Sequence, residues 1–496
     1  MIAFTAAEIA DITHGRLTGA TDIVPSSVVT DSREATPGSL YVAKPGEHAD
    51  GHDFVDAAFG LGAVLVLAER DVAGPDGTPY PAVVVEDAVL AMGALAAEAI
   101  RRIRAARTER GEEFTVIGIT GSAGKTTTKD LLAGVLSAAG PTVSPQGSYN
   151  GEVGVPLTVF LADTDTRFLV IEMGATGIGH IKYLADMVKP DIGVVLVVGT
   201  AHAGEFGGVE NIAKAKGEMV EALSEQGTAV INLDDGRVAA MRTRTKAKVL
   251  GFTAAPATTE EVEARNVTVS PDGFPWFDLV LPDGGPSVPV RSRLIGGHHV
   301  TNLLAAASAA FAAGIPAADI AASLSSQSAA SRWRMERTER EDGVTIINDA
   351  YNANPESMRA ALRTLADLGQ GRRTWAVLGA MLELGEDSIR EHTAVGTQVV
   401  RLNISRLVVV GREARALYVS AIQEGSWGDE CSFTETVEEA YELLSNELEP
   451  GDLVLFKSSN GVGLRHLGDR IALPPRAEPT GDNAADTVAS EGNELL

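Results

Sequence analysis

Short apolar runs closed by Gly, Pro or acidic residues alternate along most of this chain with stretches whose apolar residues return every three or four positions. The first kind reads as buried strands and the second as helices packed on one face. Up to about residue 108 the strands are brief ("SLYVAK", "AVLVLAE", "AVVVED"), and the segment ends in the helical, Arg-rich "AMGALAAEAIRRIRAARTERGEE". From 109 to about 326 the runs "FTVIGIT", "FLVIEMG", "DIGVVLVVGT" and "TAVINLDD" alternate with helical patterns, the signature of a mostly parallel sheet with helices on its faces. After a polar linker around "SLSSQSAASRWRMERTER" the alternation resumes in "VTIINDA", "TWAVLGAM", "RLVVVG" and "DLVLFK". The pattern predicts an α/β chain of three domains, 1–108, 109–326 and 327–472. The central one is a phosphate-loop-type sheet and the last a Rossmann-like unit. The aperiodic, Pro- and acid-rich residues 473–496 form a tail expected to be disordered.

Composition narrows the partners. A chain of 496 residues exceeds one hydrophobic core, and about 150 residues per domain gives roughly three. The formal net charge of −26 argues against nucleic-acid or anionic-membrane partners, which are bound by excess Lys and Arg. Cys431 is the single cysteine, so no intrachain disulfide framework or Cys-based metal cluster exists. The N-terminal "MIAFTAAEIADITHG" has no signal-peptide pattern, and the apolar run from Ile192 is about half the ~20 residues of a membrane span. A soluble, cytoplasmic protein is expected.

Candidate chemistry begins at "VIGITGSAGKTTTKDLL", a strand, a small-residue turn and a helix start. Ile119 occupies the first Gly position of the longer G-x-x-x-x-G-K-[ST] pattern, so the motif is the compact T-G-x-x-G-K-T of Thr120, Gly121, Ser122, Ala123, Gly124, Lys125 and Thr126, with Thr127 following. Its glycines let the backbone approach a phosphate, N–H groups at the helix start point at it, Lys125 adds a charge, and Thr126 suits Mg²⁺. The bland alternative is an ordinary Gly-rich turn.

In a parallel sheet, ligands gather at the carboxyl ends of the strands. Glu172, His202, Asp234 and Asp235 stand at such ends, and Glu172 and His202 are candidate Mg²⁺ ligands beside a triphosphate. Lys216 falls on the face of "VENIAKAKGEMVEAL" that also carries Ile212, Met219, Val220 and Leu223. A lysine there is paired with an anion, converted to a carbamate that bridges metal ions, or snorkels to the surface.

Together the T-G-x-x-G-K-T loop, Glu172, His202 and Lys216 resemble the Mur ligase family of ATP-dependent acid–amine ligases. "NDAYNANPESMRAAL" resembles the D-x-Y-N-A-N-P-x-S-M block of the family's branch that joins D-alanyl-D-alanine to UDP-N-acetylmuramoyl-tripeptide. It departs from the D-Y-A-H-T-P-type block of the branch adding the third peptide residue. The resemblance spans residues 1 to about 470. It implies ATP held by the loop through Lys125, Mg²⁺ on Thr126 and Glu172, a second metal on His202, and a carbamylated Lys216, with Lys125, Lys216 and His202 catalytic. It further implies His298 and Asn302 near the adenine, Arg334, Asp349 and Tyr351 near the nucleotide with Asp349 on the ribose, and Asn352 and Asn354 at the substrate. In "TDSREATPGSLYVAKPGEHADGHDF" it places Asp31, Ser32 and Arg33 near the uridine nucleotide. "YNGEVGVPLT" matches N-N-x-x-G-x-P-L-T, where Gly151 replaces the second Asn, so only Asn150 carries over; His299 likewise stands where Asn is usual.

The implied chemistry is transfer of the γ-phosphoryl group to the peptide carboxylate, then attack by the D-alanyl-D-alanine amine, in a monomer. Nucleotide contacts divided between "GSAGKT" and "WRMER…NDAY" imply that the third domain closes on the central one. Folylpolyglutamate synthetase is the nearest rival, but usually lacks a domain of about 100 residues before the loop. A phosphate-loop motor or switch would share only "GSAGKTT" and hydrolyse ATP without acceptors.

Overall fold

The computed structural model of the chain describes residues 1–473 except 47–48, 146, 200–205, 257–259 and 426–429. The tail expected from 473 onward therefore lies outside the described residues apart from Leu473. Three sheets follow one another along the chain.

The first sheet runs Arg16–Thr18, Ala82–Val84, Leu65–Ala68, Ser39–Val42, Ser27–Val29, parallel except for the Arg16–Thr18 edge. A capping box starts the helix Ala6–Thr13 beside it, with Glu8 N–H donating to Thr5 Oγ1 (3.2 Å) and Thr5 N–H to Glu8 Oε2 (2.8 Å). Asp87 starts the helix Ala88–Glu109 by accepting from Val89 N and Leu90 N. Met92, Leu95, Ala96, Ala99, Ile100 and Ile103 give this helix an apolar stripe that joins the first core to the second. Its far end is fastened to the central domain, where Arg104 pairs with Asp191 (2.8 Å) and the Arg107 guanidinium donates to the carbonyls of Glu113 and Asp165. Residue 108 thus lies inside a helix that both domains share.

The central sheet runs Val288–Arg291, Pro275–Val280, Val262–Val269, Lys248–Thr253, Thr228–Asn232, Ile192–Val195, Thr115–Thr120, Phe168–Glu172, Thr142–Val143. It is parallel from Val262–Val269 onward, and the first two strands add an antiparallel extension that the sequence pattern does not foreshadow. The strand Thr115–Thr120 lies between one that leads to Glu172 and one that continues toward Thr228–Asn232. The strand order therefore reverses there, the crevice where open α/β sheets bind ligands.

The third sheet runs Glu336–Glu339, Thr345–Asn348, Leu453–Lys457, Thr374–Leu378, Arg406–Val410, Cys431–Thr434, parallel except at Glu336–Glu339. Asp452 organises its base, accepting from Arg373 (2.7 Å) and from the indole N–H of buried Trp375 (3.0 Å). Cys431 is buried and its thiol is pushed up to about 12, so it stays protonated and inert. No described helix is long and apolar enough to cross a membrane.

Candidate active site

The phosphate loop leaves the strand Thr115–Thr120 and enters the helix Lys125–Ser137 through Gly124 at φ 82°. A side chain at Gly124 is excluded twice over: L-residues rarely adopt that φ, and an added Cβ would sit 2.3 Å from Asn302 Oδ1. Sheet register sets Glu172 beside Ile119, one residue before the loop, which is why a carboxylate ending the neighbouring strand reaches the helix start.

Three side chains converge on Glu172. Thr126 Oγ1 donates to Glu172 Oε2 (3.0 Å), while Ser148 Oγ (3.0 Å) and Asn150 Nδ2 (2.8 Å) donate to Oε1. Glu172 is fully buried, so these donors are what its carboxylate has in place of water. Carboxylate and hydroxyl oxygens in this arrangement match the chemistry of a hard divalent cation. Lys125 Nζ donates to Gly121 O (2.9 Å); burial, with Arg334 adding to it against the pull of Glu172, lowers its pKa.

These groups line a cleft of about 760 Å³ between the second and third sheets. Of the residues singled out from sequence, Gly121 to Thr127, Asn150, Glu172 and Lys216 line it from the central side, and Arg334, Tyr351, Asn352 and Asn354 from the far side. Lys216 is buried, and its ammonium, disfavoured first by burial and then by Lys125, is pushed down to about 7. Arg334 Nη2 donates to Thr126 Oγ1 (3.2 Å), and its guanidinium lies 4.4 Å from the Tyr351 ring centroid. Its Nε is buried without a partner among the described residues, a donor left for a ligand. Asn354 caps the helix Pro355–Leu368 with one end of its amide, accepting from Ser357 N, and with the other donates to Ser122 O of the phosphate loop (3.1 Å).

Other expected residues lie off the cleft lining. Thr120 is buried beneath the loop, donating to Met173 O (2.9 Å). Asn302 packs on Gly124, its Nδ2 3.1 Å from Nδ1 of buried His299, whose pKa burial drives well below the usual histidine range. The neighbouring His298 is exposed. Asp349 accepts from Met335 N (3.1 Å) and pairs with buried Lys457 at 2.5 Å. Asp31 caps the short 3-10 turn Ser32–Glu34 in the first domain, where Arg33 pairs with Asp31 (2.7 Å), outside the cleft. Asp234 and Asp235 serve local backbone: Asp234 accepts from Ala254 N, and Asp235 from Val198 N and the start of the helix Gly236–Ala239. His202 lies outside the described residues.

The cleft also holds residues that were not singled out from the sequence: Ser148, Glu152, His180, Ser357, Glu383 and Ser459. The strand-end rule could have found two of them, since His180 follows "FLVIEMG" and Ser459 follows "DLVLFK". Where Gly151 replaces Asn, an added Cβ would meet nothing within 4 Å, so the substitution leaves open space beside Asn150.

The Asp349–Lys457 pair yields a stability expectation. Asp349→Ala strands a buried ammonium and should cost about 3–5 kcal/mol, much of it recovered in the Asp349→Ala/Lys457→Met double variant. Urea unfolding measures both, and an Asp349→Ala midpoint equal to the parent's would contradict the assignment.

A compact phosphate loop at a sheet switch point, with a separate α/β domain contributing side chains across the cleft, defines a three-domain phosphate-loop enzyme. Family models match three segments: the Mur ligase family catalytic domain over residues 26–104, the Mur ligase middle domain over 119–310, and the Mur ligase glutamate ligase domain over 333–460. The chain belongs to the Mur ligase family. It is 42% identical over 506 residues to the UDP-N-acetylmuramoyl-tripeptide–D-alanyl-D-alanine ligase of Mycobacterium tuberculosis, covering 95% of this chain and 98% of that one. To the ligase of the same name from Escherichia coli it is 34% identical, covering 84% and 88%. Among solved structures it resembles MurF from Acinetobacter baumannii (TM-score 0.82, 30% identity, 95% and 99% covered). It also resembles MurF from Thermotoga maritima in complex with ADP (TM-score 0.74, 28% identity, 90% and 97% covered).

Proposed function

We propose that this chain joins D-alanyl-D-alanine to the C-terminal carboxylate of UDP-N-acetylmuramoyl-tripeptide at the expense of ATP, through an acyl phosphate, as a step in peptidoglycan precursor synthesis. The observation that carries the reading is the Y-N-A-N-P block lying across the cleft from the phosphate loop and bonded to it through Asn354. The full-length similarity to ligases of that name supports it.

A carboxylate resists attack by an amine because it is anionic and has no good leaving group; phosphorylation supplies one. Lys125 and the loop N–H groups would grip the triphosphate, offsetting charge that builds during transfer. Thr126 and Glu172 would hold magnesium, which when bound screens the repulsion between the phosphate and carboxylate anions. Lys216, near neutrality in its pKa, is suited to take up CO₂ as a carbamate and so change from a repelling cation into a further metal-binding anion. His202 is carried as a second metal's ligand, and Asp31, Ser32 and Arg33 as contacts of the uridine nucleotide. His298, Asn302, Arg334, Asp349 and Tyr351 are carried as the groups nearest the adenosine.

The cleft excludes water only when both walls are in place. Arg334 to Thr126, Asn354 to Ser122 O, and Ser331 to Asp130 (2.5 Å) are the contacts that would seat the third domain on the loop. Nucleotide with tripeptide substrate is therefore expected to compact the protein in small-angle scattering; an unchanged radius of gyration would count against closure. We carry the protein as a cytoplasmic monomer, which light scattering of the purified chain checks for its oligomeric state.

The reading is tested by phosphate release. A ligase turns over ATP only when both acceptor substrates are present and yields the pentapeptide by mass spectrometry. Steady ATP hydrolysis with neither acceptor would favour a motor or switch instead.

A further inference from the structure

The attacking amine presents a problem that the phosphate loop does not solve. An α-amino group with a pKa of about 8 is mostly an ammonium at neutral pH and has no lone pair to attack with. Some group in the cleft must take its proton. Glu172 is committed to three donors, and Lys125 and Arg334 are cations at the phosphate side. Carboxylates are too acidic by several pH units to hold a proton drawn from an ammonium, whereas imidazole is the side chain best matched to transfer near neutrality.

His180 is the described histidine on the cleft lining. It opens the helix His180–Val188, and its Nδ1 lies 3.2 Å from Thr176 Oγ1, which leaves Nε2 without a partner among the described residues. The helix start is partly engaged from behind. The buried Glu218 carboxylate accepts from Gly179 N (2.7 Å) and Lys182 N (2.9 Å), so two of the N–H groups at this helix start are taken, and the His180 imidazole is the side chain it places on the cleft lining. Glu218 belongs to the helix Val209–Glu221 that carries Lys216, so one carboxylate fixes His180 relative to Lys216.

We propose that His180 takes the proton that the D-alanyl-D-alanine ammonium must lose before it attacks, an assignment that rests on the ligase reading above. Nε2 accepts that proton first, and the lone pair so freed on the nitrogen then forms the C–N bond to the acyl phosphate carbon. The C–O bond to phosphate then breaks, the departing phosphate takes the second amine proton, and the imidazolium releases the first to solvent. The charged groups on the elements packed about His180 are Lys182 and Asp186 on its own helix, which pair with each other (2.5 Å), Glu218 and Lys216 on the helix packed behind it, Glu152 on the cleft lining, and Asp87, which acts on Tyr183 of the same helix.

The test compares two nucleophiles on the full-length enzyme. Hydroxylamine is already unprotonated at neutral pH and captures an acyl phosphate as a hydroxamate without help from a base. For His180→Gln, amide formation with D-alanyl-D-alanine at pH 7 should fall about 100-fold in kcat. Hydroxamate formation should stay within about threefold of the parent, and the amide deficit should shrink as pH rises to 9 and the amine deprotonates unaided. Added imidazole should restore part of the loss. Thr176→Val, which removes only the Nδ1 contact at an exposed position, should show the same pattern more weakly. Parallel loss of amide and hydroxamate in both variants, or no loss of amide in His180→Gln, would overturn the proposal. If the parent enzyme itself made neither product, the ligase reading would fall first.

Discussion

Lys125→Ala is expected to fold like the parent and to form product about 100- to 1,000-fold more slowly, the usual cost of removing one preorganised charge or donor from a transferring group. The two halves of that expectation come from one environment. Among the described residues the ammonium makes a single hydrogen bond, to Gly121 O, while burial works against its charge and the pull of Glu172 is set against Arg334. Removing it leaves one carbonyl at the edge of an open cleft, where water can reach it, and ends the burial of a charge, which is the largest influence on this ammonium, while forfeiting the pull of Glu172. The melting temperature should therefore hold or rise while phosphate release collapses. A folded Lys125→Ala enzyme with the parent's rate would remove Lys125 from the mechanism.

Lys216 is expected to matter as much, for a different reason. An ordinary lysine, with a pKa near 10.4, has roughly one neutral amine in a few thousand at pH 7. Pushed down to about 7, Lys216 has about half, and only the neutral amine can capture CO₂. Lys216→Met, which keeps the buried stem, should reduce turnover about 100-fold or more. The parent stripped of CO₂ and bicarbonate should lose activity and regain it when bicarbonate is returned, with recovery weakening as pH falls below about 7. Stability has a definite sign as well. Because the folded protein holds this proton less tightly than the unfolded chain, it gains stability as pH rises from about 7 toward 10.4. Activity indifferent to CO₂, with full turnover in Lys216→Met, would rule the carbamate out.

The readings that held were those resting on local pattern with one physical meaning. "VIGITGSAGKTTTK" can hardly be other than strand, loop and helix, and Glu172 at the end of "FLVIEMG" needed only a parallel neighbour to reach Thr126. The burial of Lys216 followed from its place in an apolar stripe. What stayed hidden depends on register and on distant partners. Asp349 is expected on the ribose, and nothing in its motif points to Lys457, more than 100 positions later, which is drawn to it by the shared need to bury both charges. Asp234 and Asp235 end a strand as Glu172 does, yet serve backbone N–H groups, because their strand is two removed from the phosphate loop. His180 and Ser459 carry no motif, and only the sheet topology brings their loops to the same cleft.

The central claim is that ATP is spent on the peptide's own carboxylate. UDP-N-acetylmuramoyl-tripeptide labelled with ¹⁸O in its terminal carboxylate, incubated with ATP and D-alanyl-D-alanine, reports on it directly. One labelled oxygen per turnover should appear in the released phosphate, since the carboxylate oxygen that attacks phosphorus leaves with it. Pentapeptide formed with unlabelled phosphate would contradict the acyl phosphate route.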